Sequence, residues 1–173
     1  MLIATVSLGI FLLLGAIDGL YFHLIKFKLY LHAESRREHT IHCFRALVLI
    51  PYAYAFFFEQ LKGALLFLGI AAFLLDLGLE IIDVLEEQSA RKIFGGLHAP
   101  ECLIHILGSS AKFSAALMIF HLRFYGAPIV GGPSLVFMKL FSGLLILGSS
   151  GALGFEAFSI LKKLRHVSAS LRS

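Results

Sequence analysis

The sequence predicts an all-α, polytopic membrane protein: a four-helix transmembrane bundle with a fifth transmembrane helix. Hydrophobic residues make up 58% of its 173 residues and the mean hydropathy is +0.88, far more apolar than a soluble domain. A spanning helix needs about 20 mostly apolar residues, and five windows meet that length: 2–25, 40–58, 61–82, 102–123 and 134–161. None of them alternates between apolar and polar residues as the strands of a membrane barrel do. One integral membrane domain over residues 1–173 is therefore expected, with helices over about residues 2–30, 36–58, 60–92, 100–123 and 134–163.

The first window is predicted to be a transmembrane helix rather than a signal peptide. It lacks a basic start and a small-residue cleavage pattern, and Asp18 interrupts its apolar run. Lys and Arg gather around the first connection, the third connection and the tail, and few lie at the opposite helix ends. The positive-inside rule then places the N-terminus outside and the C-terminus in the cytoplasm. We expect the chain in the inner (cell) membrane of a bacterium, with no nucleic-acid partner, because its positive charges lie at helix ends.

Several short patterns predict where helices begin, bend and end. Ser35 with Glu38 three residues later has the form of a capping box for the second helix, and Pro51 predicts a kink within it. Gly95 and Gly96 predict the end of the third helix. The fifth helix is rich in small residues, which predicts a packing helix and a homo-oligomer formed through it.

The third helix carries four acids inside an apolar segment. Counted from the first of them, the acids stand at positions 0, 4, 7 and 11: Asp76, Glu80, Asp83 and Glu87. At roughly 100° per residue they form a stripe about 60° wide, which Arg91 continues. A charge at membrane depth costs at least ~2.5 kcal/mol, so metal ions, arginines or protons must compensate this stripe.

Three further groups of polar residues are predicted at the same depth, because the helices run in alternate directions across the membrane. They are Glu38, His42 and Arg45 in the second helix, His98, Glu101 and His105 in the fourth, and Asp18 with Tyr21 in the first. In an α-helix His23 would stand about 140° away from Asp18, which argues against a site shared by the two. The pattern Glu-x-x-x-His occurs twice, which predicts two helical hairpins packed face to face.

Glu and His four residues apart present an oxygen and a nitrogen ligand to one point. Two such helices, with acids from two others, resemble the ligand plan of the carboxylate-bridged di-metal sites of ferritin-like proteins. The resemblance covers the ligand plan of roughly residues 18–105, and it implies two divalent metal ions: iron, manganese or zinc. It departs from those proteins in its Glu-x-x-x-His spacing, where they have Glu-x-x-His, and in its membrane setting. There is also a loose likeness to the histidine-rich membrane hydroxylases and desaturases, although their HxxHH-type boxes are missing and His39-x-x-His42 alone is not one.

The predicted ligands combine these carboxylates and imidazoles. The preferred set is Glu38, His42, Glu80, Asp83, Glu101 and His105. Further candidates are Asp18, His23, His39, Asp76, Glu87 and His98. Arg45, Arg91 and Tyr21 are predicted to support the ligands, and the two arginines alternatively to bind a substrate headgroup. Two other interpretations stay open: a buried ion-pair or proton-relay network, and a solvated polar vestibule.

The predicted function is a metal-dependent membrane enzyme that acts on a membrane lipid or other apolar small molecule by oxidation, hydroxylation or hydrolysis. One alternative is a proton- or ion-coupled transporter or channel with an acid/His relay, although the outer halves of the first four helices are nearly bare of polar groups. Another is a haem b protein ligated by His42 and His105, which the surrounding acids disfavour. Cys43 and Cys102 are predicted to be buried small side chains without a disulfide.

Overall fold

The computed structural model describes residues 1–32, 34–58, 63–124 and 132–170, and their side chains except at positions 123, 124, 159 and 162–170. This part of the chain forms five long helices and no strand. They are α1 Leu2–Ala16, α2 Arg36–Ala53, α3 Ala64–Ala90, α4 Ala99–Phe124 and α5 Pro133–Ser170. α1 continues as a π-helical segment, Ile17–Lys26, and α2 as a π-helical turn, Tyr54–Phe58. Single 3₁₀ turns occupy Leu29–Leu31 and Lys92–Phe94.

All five helices are long and apolar enough to cross a membrane, which confirms the predicted all-α, polytopic fold. Their outward surfaces carry large apolar side chains, such as Phe67 at 74% exposure and Leu147 at 70%, as expected of helices that face lipid. The first helix ends earlier than predicted because Lys28 has a left-handed backbone (φ 48°), which a right-handed helix cannot include. The predicted start of the third helix at residue 60 lies outside the described residues.

The capping box predicted at the start of α2 is wrong. Ser35 is the N-cap residue, but its hydroxyl donates a hydrogen bond to the carbonyl oxygen of Leu29 (2.7 Å) instead of capping the helix. Glu38 does not reach back to it, because its carboxylate accepts a hydrogen bond from Arg91. The third helix ends at Ala90, two residues before the predicted end, and the left-handed Gly95 (φ 89°) ends the 3₁₀ turn that follows instead of the helix itself.

The backbone contacts pair the helices differently from the two predicted hairpins. α1 packs against α4, α2 packs against α3, and α5 packs against both α1 and α2. The consecutive helices α1 and α2 make no close backbone contact with each other in the described part of the chain. The hairpin predicted from the first two helices is therefore wrong, and buried charged side chains such as Arg91 link the α2/α3 pair to α4.

The two ends of the bundle differ in composition. At one end, which we call the aromatic end, all five helices contribute to a tightly packed apolar cluster that includes the fully buried Tyr52 and Phe57. At the other, which we call the polar end, the Ile17–Lys26 segment and α3 finish and α2 and α4 begin. In a membrane, helices gain little free energy from packing their apolar surfaces together, because the lipid around them is equally apolar. Contacts between polar groups therefore contribute much of the stability of this bundle.

Candidate metal centre

The acid stripe of α3 is the face that α3 turns towards the other helices. Its five charged members are all at least 94% buried: Asp76, Glu80, Asp83, Glu87 and Arg91. Positions between them, such as Ile81 and Leu85, are exposed to the outside. Fifteen residues separate the ends of the stripe, so at 1.5 Å per residue it extends about 22 Å along the helix axis. The bundle therefore has a polar core over much of the thickness of a bilayer.

Arg91 closes the polar end of this core. Its guanidinium donates to Oε2 of Glu38 (2.7 Å) and, through Nε (2.7 Å) and Nη2, to Oε1 of Glu101, so it links α3, α2 and α4. Burial by itself would lower the pKa of Arg91, but its hydrogen bonds and charge attraction to Glu101 and Glu38 outweigh burial and raise that pKa above its ordinary value. Arg91 is accordingly a permanent cation.

Two more cations bind acids in the upper part of the stripe, by which we mean the part nearer the aromatic end. Arg45 contacts three α3 acids, with Nη1 at 2.6 Å from Oδ2 of Asp83, Nη2 at 3.2 Å from Oε2 of Glu80, and Nε at 3.6 Å from Oδ1 of Asp76. Lys112 of α4 is fully buried, and its ammonium donates to both Asp76 and Glu80.

Sequence reasoning missed Lys112 because a single lysine was considered only as a marker of orientation. The signal was present: Lys112 stands seven residues after His105, which places both on the same face of α4.

The acids of the polar core outnumber its cations. Seven carboxylates lie in it: Asp18, Glu38, Asp76, Glu80, Asp83, Glu87 and Glu101. Three permanent cations face them: Arg45, Arg91 and Lys112. With neutral histidines, four negative charges stay uncompensated among the described residues. In a bilayer that excess requires protons or bound cations.

Histidines from two elements converge on one oxygen of Glu38. Nε2 of His23 is 3.8 Å and Nε2 of His42 is 3.7 Å from Oε1 of Glu38. Nε2 of His42 is also 3.5 Å from Oδ1 of Asp83, and Nε2 of His23 is 3.6 Å from Oδ1 of Asp18. We call these five residues the histidine pocket.

The spacing in the histidine pocket is too long for hydrogen bonding, since N–H···O bonds measure about 2.7–3.2 Å. Ligands at about 2.0–2.2 Å from a tetrahedral first-row ion stand roughly 3.3–3.6 Å from one another. His23, Glu38 and His42 each present an atom within 4.8 Å of the other two, as ligands of one ion would. The pocket therefore has the donor atoms and nearly the donor spacing of a metal site.

A second set of donors adjoins the histidine pocket through Asp18. While Oδ1 of Asp18 faces His23, its Oδ2 lies 3.5 Å from Nδ1 of His105. Within the described part of the chain, Nε2 of His105, Oε1 of Glu87 and Oε2 of Glu101 are buried without a hydrogen-bond partner. The carboxylate of Asp18 thus faces two histidines, with Oδ1 directed to His23 and Oδ2 to His105.

The expectation that Asp18 and His23 do not share a site is wrong. They belong to the π-helical segment Ile17–Lys26, not to an α-helix. Hydrogen bonds in a π-helix join residues five apart, so a residue lies roughly one turn from the residue five positions before it. This wider turn brings His23 onto the side of Asp18, and places both in the polar core.

Three other predicted ligands lie away from the histidine pocket. Glu80 and Asp76, at the upper end of the stripe, are held by Lys112 and Arg45 rather than facing a histidine. His39 lies outside the polar core, where its Nε2 is 2.6 Å from Oε2 of Glu156 on α5.

His98 and Tyr21 both lie at the surface of the bundle. The ring of His98 is exposed and packs near Phe27, with centroids 5.7 Å apart. Tyr21 is 51% exposed and its ring contacts Phe22. Neither side chain is directed at the donors of the histidine pocket.

No family model, curated protein or solved structure matches this chain.

Proposed function

We propose that this integral membrane protein is a metalloenzyme whose polar core holds two divalent cations near the polar end of the bundle. The observation that carries the proposal is a set of seven buried oxygen and nitrogen atoms without a hydrogen-bond partner among the described residues. They belong to Asp18, His23, Glu38, Asp83, Glu87, Glu101 and His105. Buried polar atoms almost always have a partner, and carboxylate and imidazole atoms left in this way are what divalent ions bind.

The first ion would be held in the histidine pocket, by Nε2 of His23, Oε1 of Glu38 and Nε2 of His42, with Asp83 beside them. The second would draw on the unpartnered atoms of Glu87, Glu101 and His105, which would have to move closer together than they stand here to bind one ion. Asp18 would bridge the two, because its two oxygens face different histidines. The arginines keep the remaining carboxylate oxygens in place, as groups behind metal ligands commonly do.

The charge of the polar core supports two ions rather than one. Four negative charges are uncompensated when the histidines are neutral, and two divalent cations would cancel them. The mixed oxygen and nitrogen donors suit iron or manganese, and also zinc. Such ions would activate oxygen or water for oxidation, hydroxylation or hydrolysis.

A lipid acyl chain is the substrate class that the surroundings of the core support. An apolar groove of about 360 Å³ runs between α2 and α3, and its lining includes Leu47, Pro51, Leu68 and Leu75. Leu75 directly precedes Asp76, so the groove lies on the outer side of the bundle at the depth of the upper end of the polar core. We place the polar end at the cytoplasmic side of a bacterial inner membrane, with the N-terminus outside, because of the positive charges around it.

Transport is the second candidate function, since the charged side chains continue without a break from Arg91 to Lys112. The aromatic end opposes it: Tyr52, Phe56 and Phe57 are buried where a path would have to leave the bundle. We expect proteoliposomes that contain the protein to show no proton or metal flux above that of empty vesicles. Haem ligation by His42 and His105 stays a weaker prediction, since a porphyrin would have to displace the paired acids and arginines.

Elemental analysis of the full-length protein, purified gently in detergent, tests the proposal. We expect at least two divalent ions per chain in the wild type, and the loss of at least one in His42→Ala and in His105→Ala. His98→Ala is the matched control, because His98 is exposed, and it should keep both ions. Circular dichroism confirms that each variant is folded. A folded wild type that purifies without metal, and takes up none when iron, manganese or zinc is supplied, would overturn the proposal.

A further inference from the structure

A second group of metal-ligating atoms lies where α2 meets α5. His39 and Cys43 are four residues apart on α2, which puts both side chains on one face one turn apart. Glu156 of α5 stands opposite, and its Oε2 is 2.6 Å from Nε2 of His39. One nitrogen, one sulfur and one oxygen from these residues all lie within 4.8 Å of each other. We call this group the thiol cluster.

The thiol cluster is separate from the polar core. His39 and Cys43 each follow a residue of the core face of α2, Glu38 or His42, and are therefore turned about 100° around the helix from it. This rotation directs them to α5 instead of α3. The three side chains are half-buried, so the site is reachable from the interface, whereas Glu38 is 1% exposed.

We propose that His39, Cys43 and Glu156 form an additional binding site for zinc or a similar divalent cation. Thiolate, imidazole and carboxylate are the three kinds of ligand that zinc takes in proteins. Three protein ligands leave one tetrahedral position for water or another donor. An ion would replace the proton shared by His39 and Glu156 and would displace the thiol proton of Cys43, so binding releases protons to solvent.

An ion at this site would clamp the polar end of α5 to the bundle. Besides the contact of Glu156 with His39, two side-chain hydrogen bonds among the described residues join α5 to the other helices. Thr5 donates to the carbonyl oxygen of Ser134, and Ser142 donates to the carbonyl oxygen of Ala53. Both lie towards the aromatic end of α5. The contact of Glu156 with His39 is the link at the polar end, which a metal would turn into a bond between helices.

Cobalt(II) distinguishes this site from the metal centre in the polar core. A cobalt ion bound by a thiolate has an intense charge-transfer band in the near ultraviolet, whereas the polar core offers only oxygen and nitrogen ligands. We expect the band when full-length protein in detergent is titrated with cobalt(II). It should disappear in Cys43→Ala and persist in Cys102→Ala, the control for the second free cysteine. It should also persist in His42→Ala, which removes a ligand of the polar core only.

Zinc should abolish the cobalt band by competing for the site. Glu156→Gln should lower the zinc affinity measured in this way at least about tenfold, which is the low end of the effect of changing residues that only support metal ligands. A wild type without the band, or a band that survives in Cys43→Ala, would overturn the proposal. Either result would leave the metal centre of the polar core unaffected, because elemental analysis measures that centre in the same Cys43→Ala protein.

Discussion

Replacement of Lys112 by methionine tests whether the polar core depends on its buried cations. Methionine keeps the length of the side chain but removes the ammonium that donates to Asp76 and Glu80. Arg45 is then the remaining cation near both acids, at 3.6 Å from Asp76 and 3.2 Å from Glu80. Removal of one partner from a buried ion pair costs about 3–5 kcal/mol. An ordinary hydrogen bond between transmembrane helices averages only about 0.6 kcal/mol. We therefore expect the free energy of unfolding to fall by about 3–5 kcal/mol.

The assay is reversible unfolding in mixed micelles with increasing SDS, followed by circular dichroism. Lys139→Met is the matched control, since Lys139 is exposed over the ring of Phe58, and it should unfold like the wild type within about 0.5 kcal/mol. The double variant Asp76→Asn/Lys112→Met removes one of the stranded charges and should be more stable than Lys112→Met alone. A single variant within about 1 kcal/mol of the wild type, or two changes whose losses simply add, would refute the ion-pair account.

Four further predictions concern the proposed metal centre and the ion pairs that surround it. Arg91→Met strands Glu38 and Glu101, so SDS unfolding should show a loss of about 3–5 kcal/mol; wild-type stability would contradict this. Asp18→Asn weakens the proposed bridge, and elemental analysis of the folded variant should find fewer ions per chain than in the wild type. Metal content should fall as the solution is acidified, because protons compete for imidazole nitrogen; unchanged content at about pH 5 would count against histidine ligands. Chelation should lower the free energy of unfolding, by about 2.7 kcal/mol for each ion that is present at a hundred times its dissociation constant.

The features of the fold that follow a simple period could be predicted from the sequence. The stripe of α3 is an example: its spacing depends only on α-helical geometry, and all of its charged members are buried as expected. The five spanning helices are likewise a matter of length and apolar composition. Such features are local, so no tertiary contact changes them.

The features that depend on several elements at once could not be predicted. His23 was expected to stand apart from Asp18 because the change from α- to π-helix within residues 17–26 has no signature in composition. The pairing of α1 with α4 joins helices that are not consecutive in the chain, which a hairpin argument does not consider. Lys112 could have been suggested by its spacing from His105, but its pairing with Asp76 and Glu80 depends on how α4 packs against α3.

Metal binding and ion pairing are compatible in this core because each carboxylate has two oxygens. Glu38 gives Oε2 to Arg91 and turns Oε1 to two histidines, and Asp83 gives Oδ2 to Arg45 and turns Oδ1 to His42. Glu101 is divided in the same way, with Oε1 on Arg91 and Oε2 buried without a partner. If the arginines existed only to neutralise the acids, bidentate pairs that use both oxygens would bind more strongly. The one-sided pairs instead fix the orientation of each carboxylate and leave a donor atom on the inner side, which is the arrangement that a bound cation requires.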